Sequence, residues 1–450
     1  MISAFFARLA AVHPNHKRIA SGAFTIGVLT LLTKLVVAAR EMSIAWRYGI
    51  SRTVDAYQLA LTATTWAPMM LAGVMSAVLV PRLVKIQEGS GRRDFLGELN
   101  ATVIVAALLV AGLTWAAAPI AASLMASNKD AGTLQLTASM TARMAPIAMV
   151  MILSSYLYAR LQARQRFGYS ATEALPAVTI ALFVLAFDDP AGRSIVVGSL
   201  VGFVLQLAVL VGMAIRADAP LGTVRLTHRS AQWAGLRQSF LLMALGQILI
   251  TASLPIDQGF ASRLGEGAVA TLGYTNRILT LFSGLGTIVI GRALLPVLSE
   301  AVAAGDLALG RRQALHWTLL LGACATAGSL ILWAGAHLLV RVIFERGAFT
   351  PSASAEVTSL FRIGLLQLPF YFAGIALVQW YAATGRYSFI LWVSAAALVL
   401  KLILNFILAP LIGLSGIMLG TALMYALTTS LLLIGSKGPL SAPLSRRPTA

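Results

Sequence analysis

Residues 19–45 read IASGAFTIGVLTLLTKLVVAAREMSIA, and this stretch decides the fold. It is long and apolar enough to cross a bilayer of roughly 30 Å as a helix. It also carries Lys34 and Arg40 inside the apolar run. A cation at the centre of a bilayer costs about 2.5–3.5 kcal/mol on insertion scales, so such residues normally face a bundle interior or a watery cavity. The same pattern recurs along the chain, where Arg143, Arg277, Arg362 and Lys401 interrupt other apolar runs.

Working outward, cuts at charged and Pro/Gly-rich breaks give twelve apolar segments of about 17–27 residues. They fall near 19–45, 56–80, 99–124, 137–159, 171–187, 194–215, 238–262, 268–295, 314–340, 357–383, 388–411 and 414–435. Only helices and closed barrels satisfy their backbone groups in lipid, and these runs lack the alternation of strands. Hydrophobic residues make up 58% of the chain and charged residues 11%, with a mean hydropathy of +0.83. The fold class is all-α and polytopic.

The net charge of +18 is not a nucleic-acid signature. With the amino terminus inside, Lys and Arg concentrate in the inner loops, among them Arg82, Lys85, Arg92, Arg93, Arg164, Arg225 and Arg229. That is the positive-inside asymmetry of a multi-pass membrane protein with both termini cytoplasmic. Cys324 is the single cysteine, which excludes an intrachain disulfide and cysteine-based metal sites. No Gly-rich phosphate loop, ligand-spaced histidines or catalytic constellation is present, so the sequence calls for no metal, cofactor or enzymatic chemistry.

The chain repeats at an offset of about 217 residues. Val80-Pro81-Arg82-Leu83 is matched by Leu295-Pro296-Val297-Leu298, Gly91-Arg92-Arg93 by Gly310-Arg311-Arg312, Tyr57 by Tyr274, and Arg143 by Arg362. Six spans per repeat place both halves in the membrane in the same sense, which implies two six-helix lobes related by a pseudo-two-fold axis along the membrane normal. The expected units are an interfacial segment 1–18, a lobe 19–217, a linker 218–237, a lobe 238–435 and a cytoplasmic tail 436–450.

A membrane bundle with cations inside points to an anionic cargo. Lys34 and Arg277, one from each lobe, are read at similar depth and are the leading pair for gripping a diphosphate, with Arg40 in support. Arg143 and Arg362 lie near a membrane face and read as anchors. Lys401 and Asn405 share one helix face, and with Asp257 and Thr421 they form a candidate polar cluster, structural or coupling. Pro68, Pro146, Pro255 and Pro369 interrupt spans and predict kinks.

The stretches Leu32-Thr33-Lys34-Leu35, Ala39-Arg40-Glu41, Val54-Asp55-Ala56-Tyr57, Val80-Pro81-Arg82-Leu83, Tyr274-Thr275-Asn276-Arg277 and Phe344-Glu345-Arg346-Gly347-Ala348-Phe349 resemble the MurJ (MviN) lipid II flippases. That family belongs to the multidrug/oligosaccharidyl-lipid/polysaccharide exporter superfamily. The resemblance implies a V-shaped flippase of the bacterial inner membrane that moves an undecaprenyl-diphosphate-linked sugar by alternating access. It assigns Lys34, Arg40 and Arg277 to the diphosphate, and Asp55 and Asn276 to supporting cavity or gate positions. Membrane lipids and glycan-assembly proteins are the implied partners.

Where the family carries an Arg pair and then a Glu on its second helix, this chain has Ala67, Pro68 and Ala72. An eighth-helix Asp-Arg…Glu pattern reads Asn276-Arg277…Thr280, and the family's two further carboxy-terminal helices have no counterpart in the twelve spans. The reduced set of charges favours an exopolysaccharide-type unit over lipid II. The competing readings are a cation-coupled small-molecule exporter, which calls for an acidic cavity, a membrane-embedded glycan polymerase or ligase, which calls for large outer loops, and a non-transporting scaffold.

Overall fold

The computed structural model describes residues 32–86, 90–125, 131–164, 166–218 and 224–436. The expected segment 1–18, residues 19–31 of the first expected span and all of the expected tail 436–450 except Ser436 lie outside these. The described residues form helices and no strand. The helices are α1 (32–48), α2 (Arg52–Lys85), α3 (Ser90–Ala116), α4 (Ala118–Met125), α5 (Ala131–Ala163), α6 (Leu175–Ala186) and α7 (Arg193–Asp218). They continue with α8 (Leu236–Thr251), α9 (Ser253–Ala261), α10 (Ala268–Ala303), α11 (Leu307–Phe344), α12 (Pro351–Gly364), α13 (Gln367–Ala383), α14 (Tyr387–Ile412) and α15 (Leu414–Ser436).

These make twelve membrane passes in two six-helix lobes. Ten of the described helical stretches are long and apolar enough to span by composition alone. The other two passes are α1 and α10. Three expected spans are each built from two helices. The breaks fall at Ala117, Ala252 and Leu365–Leu366, each two to four residues ahead of Pro119, Pro255 or Pro369. Proline lacks the N–H that would bond back to the preceding turn, and its ring crowds that turn's carbonyl. At Pro68 and Pro146, by contrast, α2 and α5 run on as continuous helices.

Apolar side chains point outward as well as inward: Leu319, Ile331 and Trp392 are 74%, 73% and 76% exposed. A water-soluble surface would not carry such residues at this density, whereas a lipid-facing one should. Between helices, lipid provides no hydrophobic drive, so close contact rests on small residues. Gly198 and Gly202 form such a pair on α7. A Cβ at Gly202 would collide with Thr179 Oγ1 and lie 2.6 Å from Pro176 Cα of α6.

The cores show how the lobes meet. At one end a single core unites them, with Ile44, Val54, Met144 and Ile195 from the first half packed with Val269, Tyr274, Phe344 and Phe361 from the second. Toward the opposite end there are two separate cores. One gathers Leu79, Phe95 and Tyr156 of the first half, and the other gathers Leu298, Trp380 and Leu432 of the second. The hydrophobic cores are thus shared at one end and separate at the other, although α2 and α8 still touch there, with Gly73 against Gln247 and Arg82 donating to the Gln232 carbonyl at 2.7 Å. The described part of the inter-lobe connection docks on α3, where the Glu98 carboxylate accepts from Thr227 Oγ1, the Arg229 and Ser230 amides and Trp233 Nε1 at 2.7–3.2 Å.

Candidate functional site

Helices α1 and α10 run antiparallel across the seam. Their register is set by Glu41, whose carboxylate accepts from Arg277 Nε at 3.1 Å, and by Lys34, whose ammonium lies 3.9 Å from a Cβ built on Gly284. The Arg40 guanidinium donates to the same Glu41 carboxylate. Glu41 is 4% exposed, so this acid is held between two arginines inside the protein. Burying a carboxylate is tolerable only with such partners.

This register corrects the depth assignment made from the sequence. Arg277 is level with Glu41 and Arg40. Lys34 sits seven residues along α1, about 10 Å away by helical rise. The cations therefore form a ladder along the seam. Counting residues from assumed helix ends missed this because the described part of α1 runs on to residue 48, past the expected end at residue 45. Glu173, in the short 3-10 turn before α6, lies close enough to Lys34 to feel its charge.

At the joined end, Asp55 of α2 caps the amino terminus of α10 in the other lobe. Its two carboxylate oxygens accept from the Gly267 amide at 2.7 Å and the Ala270 amide at 2.8 Å. Helix amino termini present unpaired N–H groups and a partial positive charge, so a buried aspartate fits there. Tyr274 Oη donates to the Gly49 carbonyl at 3.0 Å, and the Ala348 amide to the Trp46 carbonyl at 2.8 Å. Gly347 has φ 58°, and a Cβ there would collide with the Trp46 carbonyl oxygen. The Phe344–Phe349 motif is thus the part of the second lobe that closes over the end of α1.

The second lobe contains the expected polar cluster, fully assembled. Lys401 Nζ donates to Asp257 Oδ2 at 2.7 Å, Thr421 Oγ1 at 2.8 Å and Ser253 Oγ at 2.6 Å. Asn405 Nδ2 donates to Asp257 Oδ1 at 3.0 Å. Lys401 and Asn405 are completely buried. An ammonium has three protons, and all three are used. Ser253 was not foreseen, although its spacing of four from Asp257 places it on the same helical face.

Between the lobes lies a cavity of about 330 Å³. The first half contributes Thr62, Thr65, Trp66 and Met69 of α2, one face at helical spacing. The second contributes Asn276, Thr280 and Ser283 of α10, Gln367 and Tyr371 of α13, and the edge of the Asp257–Lys401 cluster. Asn276 lines this cavity. Its neighbour Arg277 turns toward α1 instead. Among the described residues no group of three or more metal-ligating side chains occurs.

A family model described as lipid II flippase MurJ matches residues 13–442. The chain belongs to the MurJ family. The MurJ lipid II flippase of Burkholderia cenocepacia is 26% identical over 446 residues, covering 91% of this chain and 82% of that protein. A probable lipid II flippase MurJ of Rhizobium meliloti is 27% identical over 366 residues, covering 77% and 67%. Among solved structures, a lipid II flippase MurJ in an inward closed conformation superposes with a TM-score of 0.78 at 19% identity, covering 92% of this chain and 88% of that one. An inward-facing multidrug-resistance MATE transporter of the MOP superfamily gives 0.69 at 13%, covering 93% and 96%.

As a MurJ family member the chain is a multi-pass inner-membrane transporter and not an enzyme. Within that frame the MurJ-like signature residues divide by place. Arg40, Arg277 and Lys34 line the seam, Asp55 closes the joined end, and Asn276 faces the cavity. Glu41 was quoted in the motif yet given no role. Its position directly after Arg40, opposite Arg277 in an antiparallel pair, is what makes it central.

Proposed function

We propose that this protein flips a lipid-diphosphate-linked glycan across the bacterial inner membrane. The observation that carries this reading is the ladder of Lys34, Arg40 and Arg277 at the lobe seam, compensated there by Glu41. Three cations against one shared carboxylate and a more distant Glu173 leave the seam positive. Guanidinium forks suit phosphate oxygens, and a lysine adds a mobile point charge. A diphosphate entering the seam competes with Glu41 for Arg277, whose side chain is 40% exposed while that of Glu41 is 5% exposed.

In this reading the lobes 19–217 and 238–435 are the moving bodies and 218–237 joins them. Both termini are cytoplasmic, so the joined end faces outward and the divided end opens to the cytoplasm. The clustering of Lys and Arg at the divided end supports this orientation. Substrate enters from the inner leaflet, and breaking the Asp55, Gly49 and Ala348 contacts opens the outer side. The Asp257–Lys401 cluster keeps the second lobe rigid while it moves. Glycan-assembly proteins supply and consume the cargo.

For the cargo itself we favour an exopolysaccharide-type unit over lipid II. Support comes from Ala67, Pro68, Ala72 and Thr280, which stand where the resemblance leads one to look for charged side chains. The test is reconstitution into vesicles with fluorescent undecaprenyl-diphosphate glycans. Protein-dependent loss of inner-leaflet label is the expected result. No transfer of any diphosphate-linked glycan contradicts the proposal.

A further inference from the structure

We infer that a cleft on the flank of the first lobe binds an acidic phospholipid, with an acyl chain in the cleft and the phosphate at a rim of arginines. Helices α3 and α7 both pack on α5, and the gap left between them is this cleft, of about 290 Å³. Val103 of α3, Leu153 of α5 and Leu207 of α7 line it, and Val224 of the inter-lobe linker closes one end. The two polar side chains in its wall are bonded to each other, Tyr156 Oη donating to Asn100 Oδ1 at 2.6 Å. Such a wall takes up a hydrocarbon chain without stranding a polar group. None of the lining residues belongs to the seam of α1 and α10 or to the inter-lobe cavity, so the cleft is separate from both.

The linker is held over the end of the cleft by bonds to α3. The Arg225 amide donates to the Gly97 carbonyl at 3.0 Å, and His228 Nε2 and Thr102 Oγ1 lie 3.0 Å apart. Although the segment is fastened down, Val224 and Leu226 are 58% and 78% exposed. Large apolar side chains turned outward on a segment bound to a membrane-spanning helix fit contact with lipid, where their exposure to water is relieved.

The headgroup follows from charge. Arg93 of α3, Arg216 of α7 and Arg229 of the linker are exposed. None of the three has a carboxylate partner among the described residues. By helical rise Arg216 lies about 7.5 Å along α7 from Val211 in the cleft wall, and Arg93 about 10 Å along α3 from Asn100. The acids of α3 are engaged, Asp94 by Arg225 and Glu98 by four donors of the linker. The rim is therefore positive, and guanidinium groups suit phosphate oxygens. In the orientation proposed above this is the cytoplasmic leaflet, and the lipid lies beneath the segment that joins the lobes.

The test uses the full-length protein in detergent with phosphatidylglycerol or phosphatidylcholine carrying a photoreactive acyl chain. Phosphatidylglycerol is expected to bind at least about fivefold more tightly and to crosslink to peptides bearing Val103, Leu207 or Val224. Arg216→Gln combined with Arg229→Gln should lower its affinity about tenfold or more and leave phosphatidylcholine unchanged, since each arginine near an acidic lipid contributes a factor of about five. Leu207→Trp fills the cleft and should reduce crosslinking of both lipids. Equal binding of the two lipids, undiminished affinity in the double arginine variant, or crosslinks confined to other helices overturns the site. Displacement of the label by undecaprenyl diphosphate also overturns it, because the cleft would then serve the cargo.

Discussion

Glu41 and Arg277 meet at 3.1 Å across the boundary between the two lobes, on helices that belong to different halves of the sequence repeat. Glu41 also holds its neighbour Arg40. One buried carboxylate thus fixes both arginines that a cargo phosphate would need. Its neutralisation in Glu41→Gln leaves two guanidiniums short of a partner. We expect a stability loss on the order of 2 kcal/mol, since hydrogen bonds to charged groups contribute about 1.5–3 kcal/mol. Thermal unfolding in detergent checks it, and an unchanged midpoint contradicts the assignment.

The Lys401 cluster yields a sharper contrast. Lys401→Met leaves Asp257 buried with only Asn405 to hold it, and breaking such a pair from one side costs about 3–5 kcal/mol. The double variant Lys401→Met/Asp257→Leu removes both charges and should recover much of that loss. Denaturation of both single variants, Lys401→Met and Asp257→Leu, beside the double decides the matter. Additive losses would mean that the 2.7 Å contact does not couple the residues.

Asp55→Ala removes a cap that one lobe places on a helix of the other. Loss of an amino-terminal cap costs about 0.5–2 kcal/mol. Because this cap spans the lobes, the effect should appear as opening of the joined end. Alkylation of a cysteine introduced at Ala348 should speed up in the Asp55→Ala background. An unchanged labelling rate would show that the end stays closed without the cap.

Gly202→Val tests packing within the first lobe. The added side chain would collide with Thr179 and Pro176 on α6, and overpacking typically costs about 1–3 kcal/mol. We expect reduced yield of folded protein and a lower unfolding temperature. The same substitution at Gly212, which has open space around it, should be tolerated and serves as the control.

Much of this was legible in the residues. The twelve spans follow from length and apolarity, and the two-lobed plan from the offset between Tyr57 and Tyr274. Asp257, Lys401, Asn405 and Thr421 could be named as candidates for one cluster because buried charges in lipid need partners, but whether Asp257 and Lys401 meet depended on the packing of α9 against α14. Less was visible where two lobes meet. Nothing local to Asp55 shows that it caps α10, since the amides it serves are more than two hundred residues away. The depth of Arg277 depended on the register of α1 against α10, which span lengths do not fix. The helix breaks before Pro119, Pro255 and Pro369 and the continuity at Pro68 and Pro146 show that a proline marks a possible discontinuity. Neighbouring helices decide whether it occurs.

The central claim is that the cations at the lobe seam grip a diphosphate. The most direct measurement is flipping of a labelled undecaprenyl-diphosphate glycan in vesicles by the unaltered protein, Lys34→Ala, Arg277→Ala and the pair combined. The account predicts a fall of about tenfold or more in each single variant, because a charge-assisted phosphate contact contributes roughly 1.5–3 kcal/mol, with folding confirmed by an unchanged elution profile. Flipping at the unaltered rate in both single variants and in the pair would contradict it.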